Sequence, residues 1–162
     1  MSDEPNKGLQ SPFRRKLLLG AAFVWGVVIA GGGAYILNTV FGIGIYVLTG
    51  SESAADFGTT SIVAPIIEEA LKGLAVLVVF FLFRKEFDSI LDGIVYGSIA
   101  AMGFAAIENV LYIYRNGYQD NGWEGFWLLV FIRVFLVGWM HPFFTAFTGI
   151  GLAIARTSRN ML

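Results

Sequence analysis

Apolar residues dominate four stretches of the chain, and polar residues collect between them. The stretches cover residues 17–48, 62–83, 90–114 and 126–155. Each is long enough to cross a hydrocarbon layer of about 30 Å, which takes about 20 helical residues. The pattern therefore predicts an all-α fold, a polytopic transmembrane helical bundle with about four or five membrane helices.

The predicted bundle divides the chain into three parts. These are a cytoplasmic N-terminal tail at 1–16, a transmembrane helical domain at 17–156 and a short cytoplasmic C-terminal end at 157–162. Within the domain, the pattern does not distinguish whether residues 38–61 include a re-entrant or interfacial helix. The stretch 126–155 is too long for one crossing at 1.5 Å per residue, so we expect it to be tilted or broken near Pro142.

Basic residues outside the spans fall almost entirely on one predicted side of the membrane. Eight lie in the tail, in the loop 84–89 and at the C-terminal end, against Arg115 alone on the other side. The positive-inside rule then predicts a multi-pass protein of the cell membrane with both termini in the cytoplasm. The basic cluster at 14–16 also resembles the start of a signal peptide, but the apolar run continues to Leu48 and favours an uncleaved anchor.

Composition strengthens the membrane prediction and removes several classes of function. Hydrophobic residues make up 56% of the chain and charged residues 14%, whereas soluble domains carry about a quarter charged residues. The net charge of −1 and the lack of a large basic patch argue against a nucleic-acid partner. Because the chain has no Cys, disulfides and thiolate metal sites are unavailable. Membrane lipid is the expected surrounding, and the oligomeric state stays open.

Charged residues interrupt the second apolar stretch at Glu68, Glu69 and Lys72. In a helix with 100° per residue, Lys72 projects between the two carboxylates, one turn further along. Its ammonium can neutralise one carboxylate while the other stays free to take up a proton, which supplies an acid and a base. A buried salt bridge that only fixes helix packing is the alternative, but it needs one glutamate, and ionisable residues inside a membrane are costly enough to suggest function.

Two later stretches place further polar residues inside predicted spans. The third stretch contains Glu108 and Asn109, with Phe104 on the same helical face as Glu108. The fourth contains Arg133 and the only histidine of the chain, His141. Glu108 and Asn109 could simply join helices, and Arg133 could snorkel to the interface. Hydrocarbon offers the histidine no partner, so we expect these side chains to meet the glutamate pair in one cavity toward the extracytoplasmic side.

Three short motifs resemble those of a known family. They are "EEALK" at 68–72, "FAAIEN" at 104–109 and "MHPFFTAFTG" at 140–149, in this order on successive predicted spans. Together with "LDGIVYGSIAAMGFAAIENVLY", they resemble the PrsW protease family, which is distantly related to the CAAX prenyl endopeptidases. The resemblance covers residues 60–155. It implies a catalytic set of Glu68, Glu69, Glu108 and His141, with Lys72, Phe104 and Asn109 as motif companions.

The resemblance implies a membrane-embedded peptidase that acts on a membrane-anchored protein. The namesake of the family cleaves an anti-sigma factor of that kind in its extracytoplasmic part. The expected reaction is peptide-bond hydrolysis, in which one glutamate of the 68/69 pair removes a proton from the attacking water. His141 and Asn109 are then expected to stabilise the oxyanion, and Arg133 is a supporting residue.

Metal-dependent and non-catalytic alternatives stay open at this point. No cofactor is firmly predicted, but Glu108, His141 and one glutamate of the pair could hold Zn²⁺ with an open position for water. A single nitrogen ligand is few for zinc. A non-catalytic membrane binding or regulatory protein could use the same pocket to hold a membrane peptide. Ion or proton translocation ranks last, because the cytoplasmic halves of the spans hold almost no polar residues.

Overall fold

The computed structural model describes residues 12–159, and within this range it contains helices, short turns and no strand. The predicted all-α class is therefore confirmed for the described residues. Seven α-helices occur in this part of the chain: α1 Pro12–Trp25, α2 Gly32–Thr49, α3 Glu52–Gly58, α4 Ala64–Leu82, α5 Ile90–Tyr112, α6 Asp120–Val130 and α7 Met140–Arg159.

Wide π-helical turns join several of these helices without ending the helical path. They cover Gly26–Gly31, Thr59–Val63, Ile113–Gln119 and Phe131–Leu136. A π-turn holds one residue more than an α-turn, so it changes which way the following side chains point. The turn at 59–63 ends two residues before Pro65, whose ring and missing N–H would disturb a regular α-helical ladder at that position.

The described chain forms four long helical segments, here called legs. The legs cover 12–49, 52–82, 90–121 and 123–159, and the last is interrupted at 137–139. The first and third legs run parallel, because Arg15 pairs with Asp92 near their beginnings and Gly31 lies against Ile107 further along. The first and third legs therefore begin at the same end of the bundle.

The second and fourth legs return in the opposite direction. Gly50 ends α2 with a φ of 65°, a conformation open to glycine because it has no Cβ, and the chain turns back into α3. On the other side of the bundle, α7 runs antiparallel to α5, since Gly149 lies against Gly93 and His141 against Glu108. Segment 38–61 therefore continues α2, turns at Gly50 and begins the second leg.

A second sharp reversal separates the third leg from the fourth. Gly122 adopts a φ of 61° and a ψ of −147°, and beyond it Gly125 lies against Gly117. The returning leg then breaks between Leu136 and Met140. This break agrees with the interruption expected near Pro142.

Helix α5 is the centre of the packing because its small residues let neighbouring backbones approach. A Cβ added at Gly93 would clash with Gly149 on α7, and one added at Gly103 would clash with Phe23 on α1. An apolar core containing Tyr96 fills the end where α5 begins. A smaller cluster around Phe104 lies further along α5 and borders the polar residues described below.

Two stretches of the described chain, Phe13–Thr49 and Ile90–Arg156, are long and apolar enough to cross a membrane. The count of four or five spans stays a prediction. Helix α1 begins at Pro12, so the last residues of the predicted tail 1–16 are helical. Residues 1–11 and 160–162, with most of the predicted tail and C-terminal end, lie outside the described residues.

Candidate active site

Lys72 is the centre of a polar cluster between α4, α5 and α7. Its side chain is fully buried. The Nζ atom donates to Glu69 Oε1 at 2.7 Å and lies 3.9 Å from Glu68 Oε2, so the lysine does project between the two carboxylates. The same atom lies 4.1 Å from the centroid of the Phe104 ring. These contacts supply the compensation that a buried ammonium needs.

His141 connects this lysine to the next helix. Its Nδ1 lies 3.0 Å from Lys72 Nζ, and its Nε2 lies 3.0 Å from Glu108 Oε2. Because an ammonium can only donate, Nδ1 must accept, and Nε2 therefore carries the proton that points to Glu108. The Phe104 ring packs edge-on against the imidazole at a centroid distance of 5.2 Å. Both ring nitrogens of the histidine are thus engaged.

Arg133 joins the cluster from the segment that precedes α7. Its Nη2 donates to Glu108 Oε2 at 2.6 Å, and its Nε donates to Asn109 Oδ1 at 2.9 Å. The guanidinium also lies 4.0 Å from the centroid of the Tyr112 ring. Arg133 therefore holds the Glu108–Asn109 pair, which disfavours the alternative that it only snorkels. The pairing also turns the Asn109 amide toward the arginine.

Thr145 also contacts the cluster, although the sequence pattern assigned this residue no role. Its buried hydroxyl donates to Glu69 Oε2 at 2.9 Å. Thr145 lies four residues after His141, on the same face of α7, and this spacing is the signal that could have assigned it. Both carboxylate oxygens of Glu69 are therefore occupied, one by Lys72 and the other by Thr145.

Glu68 differs from the other two carboxylates of the cluster. Among the described residues, its polar contact is the 3.9 Å approach of Lys72 Nζ. Its side chain is 15% exposed and lines a cavity of about 1300 Å³ between the helices. A carboxylate with unengaged oxygens beside such a space can take a proton from a water molecule.

The structure brings all eight predicted site residues into one connected cluster. The cluster contains Glu68, Glu69, Lys72, Phe104, Glu108, Asn109, Arg133 and His141. Tyr112, on the same face of α5 as Glu108, joins it through Arg133. The catalytic roles of these residues stay predictions.

The side chains of this cluster do not fit a zinc ion in this arrangement. Metal ligands must direct their lone pairs at one common point. Here the Lys72 ammonium lies between Glu69 and His141 Nδ1, and Nε2 directs its proton at Glu108. Within residues 12–159, no group of three or more His, Cys, Asp or Glu side chains is placed to hold a metal ion. A side-chain cation occupies the position between the ligands that zinc would need.

The fold and the cluster define a class of protein. It is a helical protein with long apolar segments that places three half-buried carboxylates, an imidazole and two basic side chains beside a cavity among its helices. A family model described as PrsW family intramembrane metalloprotease matches residues 14–162. The chain belongs to this family, as its motifs predicted, and membership together with the two long apolar stretches supports a membrane protein.

Several curated proteins named Protease PrsW are similar to this chain. The protein from Oceanobacillus iheyensis is 34% identical over 95 residues, which cover 59% of this chain and 40% of that protein. The protein from Bacillus subtilis is 33% identical over 92 residues, covering 57% and 38%. The protein from Clostridioides difficile is 43% identical over 55 residues, covering 34% and 23%. The chain thus spans less than half the length of these relatives. No solved structure matches it.

Proposed function

We propose that the protein is a membrane-embedded peptidase that cleaves a peptide bond of a membrane-anchored protein near the extracytoplasmic side. Family membership and the relatives named Protease PrsW support this class of reaction. The observation that carries the proposal is Glu68, which faces the cavity with no hydrogen-bond partner among the described residues. An anti-sigma-factor-like protein is the kind of substrate that the resemblance implies.

The proposed membrane arrangement has four crossings and both termini in the cytoplasm. Four helical legs that alternate in direction support an even number of crossings. Basic residues such as Arg14, Arg84 and Lys85 lie at the end where the first and third legs begin, which the positive-inside rule assigns to the cytoplasm. The cluster around Lys72 lies near the middle of the legs, and the cavity beside it extends to Thr59 and Arg115 toward the opposite end. The domain at 17–156 then holds the residues of the proposed reaction.

Glu68 is the general base of the proposed reaction. It removes a proton from a water molecule as the oxygen of that water attacks the carbonyl carbon of the scissile bond, and it then returns the proton to the leaving amine. Lys72 lies close enough to offset the repulsion between Glu68 and the neighbouring carboxylates without forming a short hydrogen bond to Glu68. Glu69 has both oxygens occupied, which suits a positioning residue for Lys72.

Arg133 is the proposed stabiliser of the negative charge that develops on the carbonyl oxygen. Its Nε and Nη2 are held by Asn109 and Glu108, while Nη1 has no hydrogen bond to the described residues and the side chain lines the cavity. A fixed donor of this kind contributes most when charge develops in a site that excludes water. His141 has both ring nitrogens engaged, so its proposed role is to position Glu108 and Lys72. This assignment replaces the expectation that His141 and Asn109 bind the oxyanion.

A liposome assay tests the proposal. Wild-type protein, Glu68→Gln and Glu52→Gln are reconstituted with a single-span reporter protein that carries a flexible tail on the extracytoplasmic side. Glu52 is an exposed carboxylate at the start of α3 and provides the matched control. Because a positioned general base contributes about 10²–10⁴-fold, Glu68→Gln should lower the cleavage rate by at least about 100-fold, whereas Glu52→Gln should cleave at the wild-type rate.

Two further measurements separate the proposal from its alternatives. Wild-type activity should survive treatment with a zinc chelator, and the metal content of the purified protein should be well below one zinc per chain. Activity that disappears with the chelator and returns with zinc would contradict the side-chain mechanism. A wild type that binds the reporter but leaves it intact, with binding unchanged in Glu68→Gln, would support the non-catalytic alternative instead.

A further inference from the structure

The cavity beside the cluster around Lys72 extends past the residues of the proposed reaction. Glu108 and Arg133 line it at the level of the reaction, and Arg115 lines it further along the third leg. Arg115 follows Glu108 by seven residues, which corresponds to about 10 Å along a helix at 1.5 Å per residue. This end of the cavity, here called the mouth, faces the extracytoplasmic side in the proposed membrane arrangement. A peptide that enters from that side passes Arg115 before it reaches the reaction site.

Arg115 is a cation that the protein leaves without a carboxylate partner. It is exposed at the mouth, and within residues 12–159 it forms no ion pair. Its contact in this range is with the ring of Tyr35 on the first leg, whose centroid lies 5.9 Å from the guanidinium carbon. The guanidinium of Arg133, by contrast, pairs with Glu108. The N–H donors of Arg115 are therefore available to a bound carboxylate.

The cavity has opposite charge at its two levels. At the level of the reaction, the three carboxylates of the cluster face two cations, Lys72 and Arg133, which leaves one negative charge. At the mouth, Arg115 supplies one positive charge. A substrate carboxylate is therefore attracted at the mouth and repelled beside the reaction site, because the Coulomb energy changes sign between the two places. The cavity thus selects the position of a negative charge along a peptide.

We propose that Arg115 binds an Asp or Glu side chain of the substrate, about three residues from the scissile bond on the side of the soluble tail. An extended chain covers about 3.3 Å per residue, so about three residues span the distance between the levels of Glu108 and Arg115. A guanidinium can bind a carboxylate through two parallel N–H donors, and the attraction to the Tyr35 ring helps to hold it at the mouth. This inference rests on the proposed peptidase function and names the charge pattern that the same cavity selects.

The liposome assay tests the proposal when the tail of the reporter protein is changed at one position at a time. Mass spectrometry of the products first locates the scissile bond, and Asp or Asn is then placed at successive positions toward the tail. Because an ion pair that stays open to water contributes up to about fivefold, Asp near the third position should be cleaved about fivefold faster than Asn there. Asp directly beside the scissile bond should slow cleavage. Equal gains from Asp at every position would overturn the proposal.

Charge reversal at Arg115 tests for direct contact with the substrate. Arg115→Gln should bring the ratio of the Asp and Asn rates close to one, and Arg115→Glu should favour Lys over Asp at the same position. A misfolded variant cannot produce such a reversed preference. Arg84→Gln removes an exposed cation at the opposite end of the bundle and should keep the wild-type ratio. An Asp preference that survives in Arg115→Gln, or that is lost equally in Arg84→Gln, would contradict the assignment.

A binding measurement separates this proposal from the proposed reaction. If the wild type cleaved no reporter, the peptidase reaction would be contradicted, and the affinities of labelled reporters would still test Arg115. The best Asp reporter should then bind about fivefold more tightly than its Asn counterpart, and Arg115→Glu should reverse the order. Reporters that are cleaved without any charge preference would overturn the role of Arg115 and leave the proposed reaction intact.

Discussion

Asp92 and Glu68 are carboxylates enclosed by helices, and they differ in how many of their oxygens have partners. Asp92 Oδ1 accepts from Arg15 at 3.0 Å. Its Oδ2 accepts from the Ser89 hydroxyl at 2.6 Å and from the Ser89 and Asp88 N–H groups at 3.1 and 3.3 Å. Among residues 12–159, the polar contact of Glu68 is the 3.9 Å approach of Lys72. A buried carboxylate with every oxygen satisfied holds elements together, whereas one with unengaged oxygens beside a cavity can exchange a proton.

The two carboxylates also differ in whether the nearby backbone needs their side chains as hydrogen-bond partners. Asp92 belongs to the capping box at the start of α5, where its partners satisfy backbone groups that a helix end leaves unpaired. Glu68 lies within a helical leg, where the backbone N–H and C=O groups bond to each other and need no side-chain partner.

Removal of Lys72 should give the largest effect on stability. Lys72→Met keeps the length of the side chain but removes the ammonium that pairs with Glu69, whose side chain is 35% exposed. We expect the free energy of unfolding to fall by about 3 kcal/mol, the lower end of the range for a broken buried pair, because water partly solvates the remaining carboxylate, and we expect cleavage to be lost. Unfolding in mixed micelles, followed by tryptophan fluorescence, measures the change. Lys16→Met removes an exposed cation and should stay within about 0.5 kcal/mol. A Lys72→Met variant as stable as the wild type would show that the lysine is not the centre of the cluster.

Neutralisation of Asp92 should cost stability and leave the chemistry intact. Asp92→Asn weakens the charged hydrogen bonds to Arg15 and Ser89, so we expect a loss of about 2 kcal/mol in the free energy of unfolding. The cleavage rate per folded molecule should equal that of the wild type. The comparison with Glu68→Gln, which removes the same charge, is the sharpest available. If Asp92→Asn lowered the cleavage rate without lowering the stability, this would contradict the proposed difference between the two carboxylates.

Thr145 offers the smallest and most specific test. Thr145→Val preserves the shape of the side chain but leaves Glu69 Oε2 without its donor, so Glu69 comes to resemble Glu68. We expect a loss of about 1 kcal/mol in the free energy of unfolding and less than a tenfold change in cleavage. Thr148→Val makes the same chemical change at an exposed position on α7 and should be near neutral. Equal effects of the two substitutions would argue against the Thr145–Glu69 hydrogen bond.

Geometry within one helix could be predicted from the sequence, because the rotation per residue is fixed. The placement of Lys72 between Glu68 and Glu69 follows from spacing alone, and so does the shared face of Phe104, Glu108 and Tyr112 on α5. The all-α class followed from the length of the apolar stretches.

The meeting of the polar side chains in one cavity was expected from the sequence, but the individual hydrogen-bond partners on different helices were not, because they depend on how far one helix is shifted along another. The pairing of Thr145 with Glu69 requires the register of α7 against α4 and α5, which close backbone contacts such as Gly93 with Gly149 set. The π-turns were also not predicted. Each adds a residue to one turn, and no pattern of apolar residues marks where this happens.

The fully buried ammonium of Lys72 has a consequence for how the protein becomes competent. A hydrolase that depends on a bound ion must acquire it after synthesis, and the amount of active enzyme then follows the supply of that ion in the cell. Under the proposed function, the positive charge at the centre of this site is the ammonium of Lys72, which is part of the polypeptide. Activity would begin as soon as the helices have inserted and packed, in metal-starved and metal-replete cells alike.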